Sequence, residues 1–169
     1  MPRNLPQAIA FLVGFAIALL LSPFVGRAEE GNAAAPYAAL ESELYRAVNA
    51  ERASRHLIAL ERRPDLDRVA RAHSADMASR SYLSHVTPEG VDPVGRLAQG
   101  GVDGFSLAAE NAGQTSKSDP GREILASWLA SQAHRENLHA PPFNATGIGV
   151  ARAANGTFYF TQLYVTYPR

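Results

Sequence analysis

The chain has 169 residues, equal numbers of basic and acidic residues (16 of each) and no cysteine. Its neutral formal charge excludes the strongly basic surface of a typical nucleic-acid-binding protein, so no nucleic-acid partner is predicted. The lack of cysteine excludes disulfides, thiol catalysis and cysteine-ligated metals. The apolar content of 46% is enough for one packed domain and too high for general disorder.

The first 28 residues have the pattern of a secretory signal peptide. Arg3 precedes an apolar stretch over residues 8–21, and small residues stand at the −3 and −1 positions of a cleavage site after Ala28. The alternative is an uncleaved N-terminal anchor, because the apolar stretch approaches the lower length limit of a spanning helix. Both interpretations predict an extracytoplasmic protein (periplasmic, cell-envelope or extracellular), associated with the membrane if the leader is retained.

Residues 29–39 are predicted to be a linker, and residues 40–169 a single domain. Within that domain, the helical spacing of apolar residues predicts a helix over residues 40–54. A second helix is predicted over 64–82, because Pro64 suits the first turn of a helix and apolar residues then recur on one face. A third helix is predicted to begin at Asp119.

The C-terminal part changes to the pattern of a β-hairpin. Asn155-Gly156 is a strong turn signal, and residues 157–166 are rich in β-branched and aromatic side chains. Gln162 and Tyr164 share strand parity and are expected on one face. Residues 107–112 are a candidate third strand. Helices that precede an antiparallel hairpin predict an α+β layered domain.

Three short segments carry the residues best suited to chemistry: Ser84-His85, Glu110-Asn111, and residues 134–137 with His134 at their start. Two imidazoles and one carboxylate can hold a divalent metal such as zinc, move a proton or bind a polar ligand. The His-Glu-x-x-His zinc motif and the Gly-x-Ser-x-Gly hydrolase motif are both absent. The residue pattern alone therefore leaves the metal, catalytic and binding interpretations open.

Several motifs together resemble the CAP superfamily, which includes cysteine-rich secretory proteins, antigen five and pathogenesis-related proteins. The resemblance is to the bacterial SCP-like type and covers residues 40 to about 166. The matching motifs are residues 49–53 (NAERA), 70–77 (ARAHSADM), 84–85 (SH), 109–112 (AENA), Trp128, 134–137 (HREN), 147–151 (GIGVA) and 159–162 (YFTQ).

The resemblance implies a three-layer α-β-α sandwich with a central antiparallel sheet and an open cleft that His85 and Glu110 face. Eukaryotic members complete a His/Glu tetrad with a second glutamate and a strand-borne histidine. That histidine is missing here because no histidine follows His139. His134 is the candidate substitute, and the fourth position is unassigned.

Each candidate also has a structural interpretation. Glu110 is either a cleft residue or a buried strut, and His134 either faces the cleft or caps a helix. His73, on the apolar face of the second helix, is expected to be a hydrogen-bonded core histidine. The predicted ligand-binding cleft consists of His85, Glu110, Asn111, His134, Asn137 and Gln162. Among these, His85, Glu110 and His134 are the candidate metal ligands and the candidate catalytic residues.

Two function classes follow from these residues. The first is a binding domain for a lipid, glycan, peptide or divalent metal, and thus for a small polar or amphipathic ligand or an envelope component. The second is an extracytoplasmic hydrolase, with or without assistance from a metal. The lack of a recognisable nucleophile favours binding, and no cofactor beyond a divalent metal is suggested.

Overall fold

The computed structural model describes residues 36–168. The signal-peptide or anchor prediction for residues 1–28, and most of the predicted linker, lie outside these residues. The described part contains five helices and four strands: α1 (Ala38–Ser54), β1 (Glu61–Arg62), α2 (Pro64–Arg80), α3 (Pro93–Gln99), β2 (Leu107–Thr115), α4 (Pro120–Ala130), α5 (Gln132–His139), β3 (Ala145–Arg152) and β4 (Phe158–Thr166). None of the helices within residues 36–168 is long and apolar enough to cross a membrane.

The three helices expected from the sequence are confirmed as α1, α2 and α4. Helix α2 begins with Pro64 in its first turn and ends where Ser81 adopts a left-handed conformation, with φ of 55°. Helix α4 is capped by Asp119, whose carboxylate accepts a hydrogen bond from the backbone N–H of Arg122 at 3.3 Å. The sequence did not predict the short helices α3 and α5. Ser131 separates α4 from α5 with an extended ψ of 126°.

The strands form one sheet in the order β1-β3-β4-β2. Strands β2 and β3 each pair antiparallel with β4, and the Asn155-Gly156 turn joins β3 to β4 as expected, with Gly156 at a φ of 90°. The α+β class is therefore confirmed. The sheet is mostly antiparallel, as expected, and the two-residue strand β1 pairs parallel with β3.

Successive side chains along each strand point to opposite faces of the sheet. The core therefore has two layers, one on each face. Phe160 and Tyr164 of β4 pack with α1 and α4, in a cluster that contains Trp128. Leu163 and Val165, from the intervening positions, pack with α2 and α3. The sheet thus lies between two helical layers, in the expected sandwich.

Helix α2 packs unusually close to β3. A Cβ at Gly147 would clash with the backbone of Leu66, and a Cβ at Gly149 would clash with the backbone of Ala70 and Arg71. Both glycines lie on the face of β3 that meets α2. The Gly-Ile-Gly pattern of this strand therefore provides backbone contact on one face and an apolar side chain, Ile148, on the other.

Buried ion pairs tie the N-terminal helix to the sheet in this cysteine-free domain. The fully buried carboxylate of Glu41 accepts hydrogen bonds from Arg62 at 3.0 Å and from Arg71 at 2.8 Å. Asp67 accepts from Arg62 at 2.9 Å and from the backbone N–H of Ile148 at 2.8 Å. Because all of these groups are paired, removing one partner would leave a buried charge uncompensated.

Arg52 at the end of α1 is a fully buried cation, and within residues 36–168 its hydrogen bonds all go to backbone carbonyls. Its guanidinium donates to the carbonyl oxygens of Ile58 (3.0 Å), Leu138 (2.9 Å), Ala140 (3.1 Å) and Phe143 (3.2 Å). Burial lowers the pKa of this guanidinium from its ordinary value. These bonds satisfy carbonyls at the C-terminal end of α5 and fix that helix relative to α1.

Candidate functional site

The candidate site lies at the β2 edge of the sheet. Glu110 and Asn111 are adjacent on β2, so their side chains point to opposite faces. Glu110 points toward α2 and α3, where it contacts Arg96, and Asn111 points toward α5, where it contacts the backbone of His134. This pair of residues therefore connects the two helical layers at one point on the edge strand.

Glu110 is the buried centre of one half of the site, with only 1% of its side chain exposed. One carboxylate oxygen accepts a short hydrogen bond from Nη2 of Arg96, and the other is 2.9 Å from Nδ1 of His85. Nε2 of His73 lies 3.9 Å from the same oxygen that His85 contacts. Both carboxylate oxygens are thus occupied, and the charge of Glu110 is balanced by Arg96.

Arg96 also positions the loop that carries His85. Its Nη1 donates to the backbone carbonyl of His85 at 2.7 Å and to that of Val91 at 3.1 Å. Asp92 caps α3 by accepting from the N–H of Gly95 at 2.7 Å, which holds the helix that presents Arg96. One guanidinium therefore orients both the loop and the carboxylate behind it.

His85 is the exposed member of the site, with 51% of its side chain accessible. The hydrogen bond to Glu110 raises the pKa of His85 above its ordinary value, although burial and the charge of Arg96 oppose this. Because Nδ1 donates to Glu110, Nε2 is the ring nitrogen left for a ligand. When His85 is protonated, the cluster of His85, Glu110 and Arg96 has a net charge of +1.

The other half of the site is a polar network beneath α5. The side-chain amide of Asn111 donates to the carbonyl of His134 at 3.0 Å and to the hydroxyl of Tyr164 at 3.1 Å. That hydroxyl donates to Gln162 at 2.9 Å. Asn137 donates to the Glu110 carbonyl at 3.2 Å and to Asn111 at 3.0 Å, so α5 is fastened to the outer edge of β2.

His134 comes close to His85 from the opposite layer. The two ring centroids are 6.5 Å apart, and the His134 ring is also 6.5 Å from the Trp128 ring. Burial and then the charge of His85 lower the pKa of His134 below its ordinary value. His134 is therefore the neutral imidazole of the pair, and His85 is the one that favours a proton.

The structure brings His85, Glu110 and His134 together, with Asn137 supporting them. Asn111 and Gln162 are fully buried, so their positions make them supports of the site and not contacts for a ligand. Gln162 does share a face with Tyr164, as its strand parity predicted. Arg96 was missed entirely, although Asp92-Pro93 is a helix-start signal that could have indicated α3.

His73 is buried as expected, but its hydrogen bonding is only half satisfied. Nε2 is 2.9 Å from the carbonyl oxygen of Ser84, whereas Nδ1 has no hydrogen-bond partner within residues 36–168. The expectation of a hydrogen-bonded core histidine is therefore confirmed through Nε2. Burial lowers the pKa of His73, which favours the neutral ring.

The residues do not fit the metal site that the sequence suggested. Within residues 36–168, no group of three or more histidine, aspartate or glutamate side chains is arranged to hold a metal ion. The physical reason is that Glu110 already binds His85 and Arg96, and a guanidinium beside a carboxylate repels a second cation.

Comparison with known proteins gives consistent matches. The family model for the cysteine-rich secretory protein family, CAP, matches residues 45–164. The uncharacterized protein YkwD of Bacillus subtilis (strain 168) is 31% identical over 124 residues, which are 73% of this chain and 46% of that protein. The chain therefore spans about half the length of this curated relative.

Solved structures match over a similar part of the chain. An extracellular protein containing a SCP domain from Bacillus anthracis has 31% sequence identity and a TM-score of 0.67, covering 76% of this chain and 40% of that one. An outer surface protein from Borrelia burgdorferi has 19% identity and a TM-score of 0.71, covering 79% of this chain and 97% of that one. The second likeness concerns the fold alone.

Proposed function

Because the chain belongs to the cysteine-rich secretory protein (CAP) family, we propose that it is an extracytoplasmic binding domain with a ligand site at His85 and His134. The ligand is a lipid, glycan or peptide that presents an anionic group to Nε2 of His85. The leader-like pattern of residues 1–28 supports an extracytoplasmic location. The B. anthracis relative is itself described as extracellular.

One observation carries the proposal: the half-exposed imidazole of His85 is held through Nδ1 by a buried carboxylate that Arg96 neutralises. This arrangement fixes the ring, favours its protonated form and directs an N–H donor outward. A protonated imidazole beside a neutral one suits an anion that accepts one strong hydrogen bond. With Arg96 balancing Glu110, the carboxylate behind the ring does not cancel the positive charge of His85.

The proposal is tested by nuclear magnetic resonance of the histidine rings during titration with matched probes. Hexyl phosphate and glucuronate are the anionic probes, and hexanol and glucose are their neutral counterparts. We expect the anionic probes to shift the His85 ring signals in a saturable way and the neutral ones to do so at least tenfold more weakly. The preference for anions should decline as the pH rises and His85 loses its proton.

Two variants control this experiment. His85→Ala should abolish the binding, whereas His56→Asn should preserve it, because His56 is exposed, lies outside the site and has a left-handed φ of 58° that asparagine tolerates. Anion binding that persists in His85→Ala, or no saturable shift with either anionic probe, would contradict the proposal.

The alternative function is a hydrolase, and the same histidine–carboxylate pair favours it. A carboxylate that holds Nδ1–H leaves Nε2 available as a general base. The hydroxyl of the adjacent Ser84 accepts a hydrogen bond from the backbone N–H of Val86, so this hydroxyl stabilises the loop. A screen of ester, glycoside and peptide substrates would decide: activity that is lost in Glu110→Gln while the fold is preserved would favour the hydrolase.

A further inference from the structure

A second concavity, of about 580 Å³, lies between α2, the loop over residues 87–91 and α3. We refer to it as the α2–α3 groove. The volume is within the range of small-molecule sites, which is roughly 300–1,000 Å³. His85, Glu110 and His134 do not line it, so the groove is separate from the cleft described above.

The wall of the groove is apolar and carries no free charge along its middle. Its apolar lining consists of Val69, Ala72 and Val91. Two buried polar residues, His73 and Arg96, also line it. Burial lowers the pKa of His73 and favours its neutral ring, and the charge of Arg96 is balanced by the buried carboxylate of the cleft. This part of the groove therefore suits small apolar groups.

The end of the groove beside the C-terminal end of α3 is basic. Arg68 is exposed there, and its Nη2 donates to the backbone carbonyl of Gly100 at 2.9 Å, so the guanidinium is held at this end. Within residues 36–168, Arg68 forms no salt bridge. Its other N–H groups are therefore free to bind an anionic group.

The opposite end of the groove, about two turns further along α2, is acidic. Asp76 and Glu89 line it, and both pair with the same cation, Arg80, at 3.3 Å and 2.7 Å. The hydroxyl of Tyr82 donates to the second carboxylate oxygen of Asp76. Two carboxylates and one guanidinium leave this end with a net charge of −1. It therefore favours a cationic group, and each carboxylate accepts more than one hydrogen bond.

The distance between the two ends sets the length of a ligand that reaches both. Arg68, Ala72 and Asp76 are four residues apart in turn, so they follow one another along one face of α2. Eight residues of helix separate the Cα atoms of Arg68 and Asp76 by about 12 Å. An extended chain advances about 3.3–3.6 Å per residue, so three residues span about 10–11 Å.

We propose that the α2–α3 groove binds a short peptide, of about three residues, that has free termini and small apolar side chains. Its ammonium group binds Asp76 and Glu89, and its carboxylate binds Arg68. The apolar side chains contact the wall between these ends. The groove is open on its outer side, so the peptide enters while the hydrogen bond from Arg96 to Val91 stays in place.

The test uses the full chain and three forms of the peptide alanyl-valyl-alanine: one with free termini, one acetylated at the N-terminus and one amidated at the C-terminus. Nuclear magnetic resonance of the backbone amides locates the binding. We expect the free peptide to shift the signals of Val69 and Ala72 in a saturable way. Each blocked form should bind at least fivefold more weakly, because it lacks one of the two terminal charges.

Charge variants separate this site from nonspecific binding. Arg68→Gln should weaken binding of the free peptide at least fivefold and remove the preference for a free carboxylate, while the preference for a free amino group remains. The matched control is Arg46→Gln, because Arg46 is exposed on α1 in the other helical layer. This control should leave binding unchanged.

Three results would each overturn the proposal: equal binding of the three peptides, no saturable shift at Val69 or Ala72, or equal effects of Arg68→Gln and Arg46→Gln. The acetylated peptide also distinguishes this site from the anion site. It keeps the carboxylate that His85 is proposed to bind but lacks the ammonium group that the groove requires. The two proposals therefore fail independently.

Discussion

The buried guanidinium of Arg52 allows a quantitative prediction about how the site is held in place. Replacement by methionine keeps an unbranched side chain of similar length but removes four hydrogen bonds to backbone carbonyls. Bonds from a charged donor contribute about 1.5–3 kcal/mol each, or roughly 6–12 kcal/mol for four. The desolvation of a fully buried charge offsets several kcal/mol of this. We therefore expect Arg52→Met to lower the free energy of unfolding by about 3–5 kcal/mol.

Urea unfolding followed by circular dichroism measures this change. The matched control is Arg55→Met on the same helix, because Arg55 is 59% exposed and forms one surface pair with Glu51. That control should change stability by about 0.5 kcal/mol or less. Equal, small effects for Arg52→Met and Arg55→Met would refute the idea that Arg52 clamps α5. In a variant that still folds, the ring signals of His134 on α5 should also move.

Three further predictions concern packing, ion pairing and pH. Gly149→Ala should destabilise the domain by about 1–3 kcal/mol in the same urea assay, because the added methyl group must push α2 away from β3. Glu41→Gln should cost about 3–5 kcal/mol, since it leaves two arginines without their buried carboxylate, whereas the exposed Glu43→Gln should cost about 0.5 kcal/mol or less. His85→Gln should lose more stability at about pH 5.5 than at about pH 9. The raised pKa of His85 means that its contribution is complete below the unfolded-state pKa of about 6.5 and is lost as pH rises through the folded-state pKa. A pH-independent loss for His85→Gln would contradict this linkage.

The elements that could be predicted from the sequence are those with strong local signals. Helices α1, α2 and α4 have apolar periodicity over eleven or more residues, and the hairpin has an Asn-Gly turn. Helices α3 and α5 have seven and eight residues, and helices this short depend on tertiary contacts more than on propensity. Strand β1 exists only because two residues pair with β3, which no local pattern indicates.

The candidate site likewise contains residues that the sequence motifs indicate and residues that only tertiary contacts bring to the site. The motifs indicated His85, Glu110 and His134, and the structure brings these three together. The alternation of side chains along β4 correctly predicted that Gln162 and Tyr164 lie on the same face. It could not predict that both side chains are fully buried there. Arg96 lies on the short helix α3 and contacts Glu110 on β2. Its role depends on this contact between two elements, which no spacing in the sequence reveals.

The coupling between His85 and Glu110 is tested by the pKa of the His85 ring, measured by nuclear magnetic resonance in the unmodified protein and in Glu110→Gln. We expect a pKa above the ordinary value in the unmodified protein, because Nδ1 donates to a buried carboxylate. In Glu110→Gln the raised pKa should fall, because the carboxylate that accepts the Nδ1–H bond is gone. A His85 ring that titrates at or below its ordinary pKa in the unmodified protein, or whose pKa is unchanged in Glu110→Gln, would show that the buried carboxylate does not hold the proton on His85.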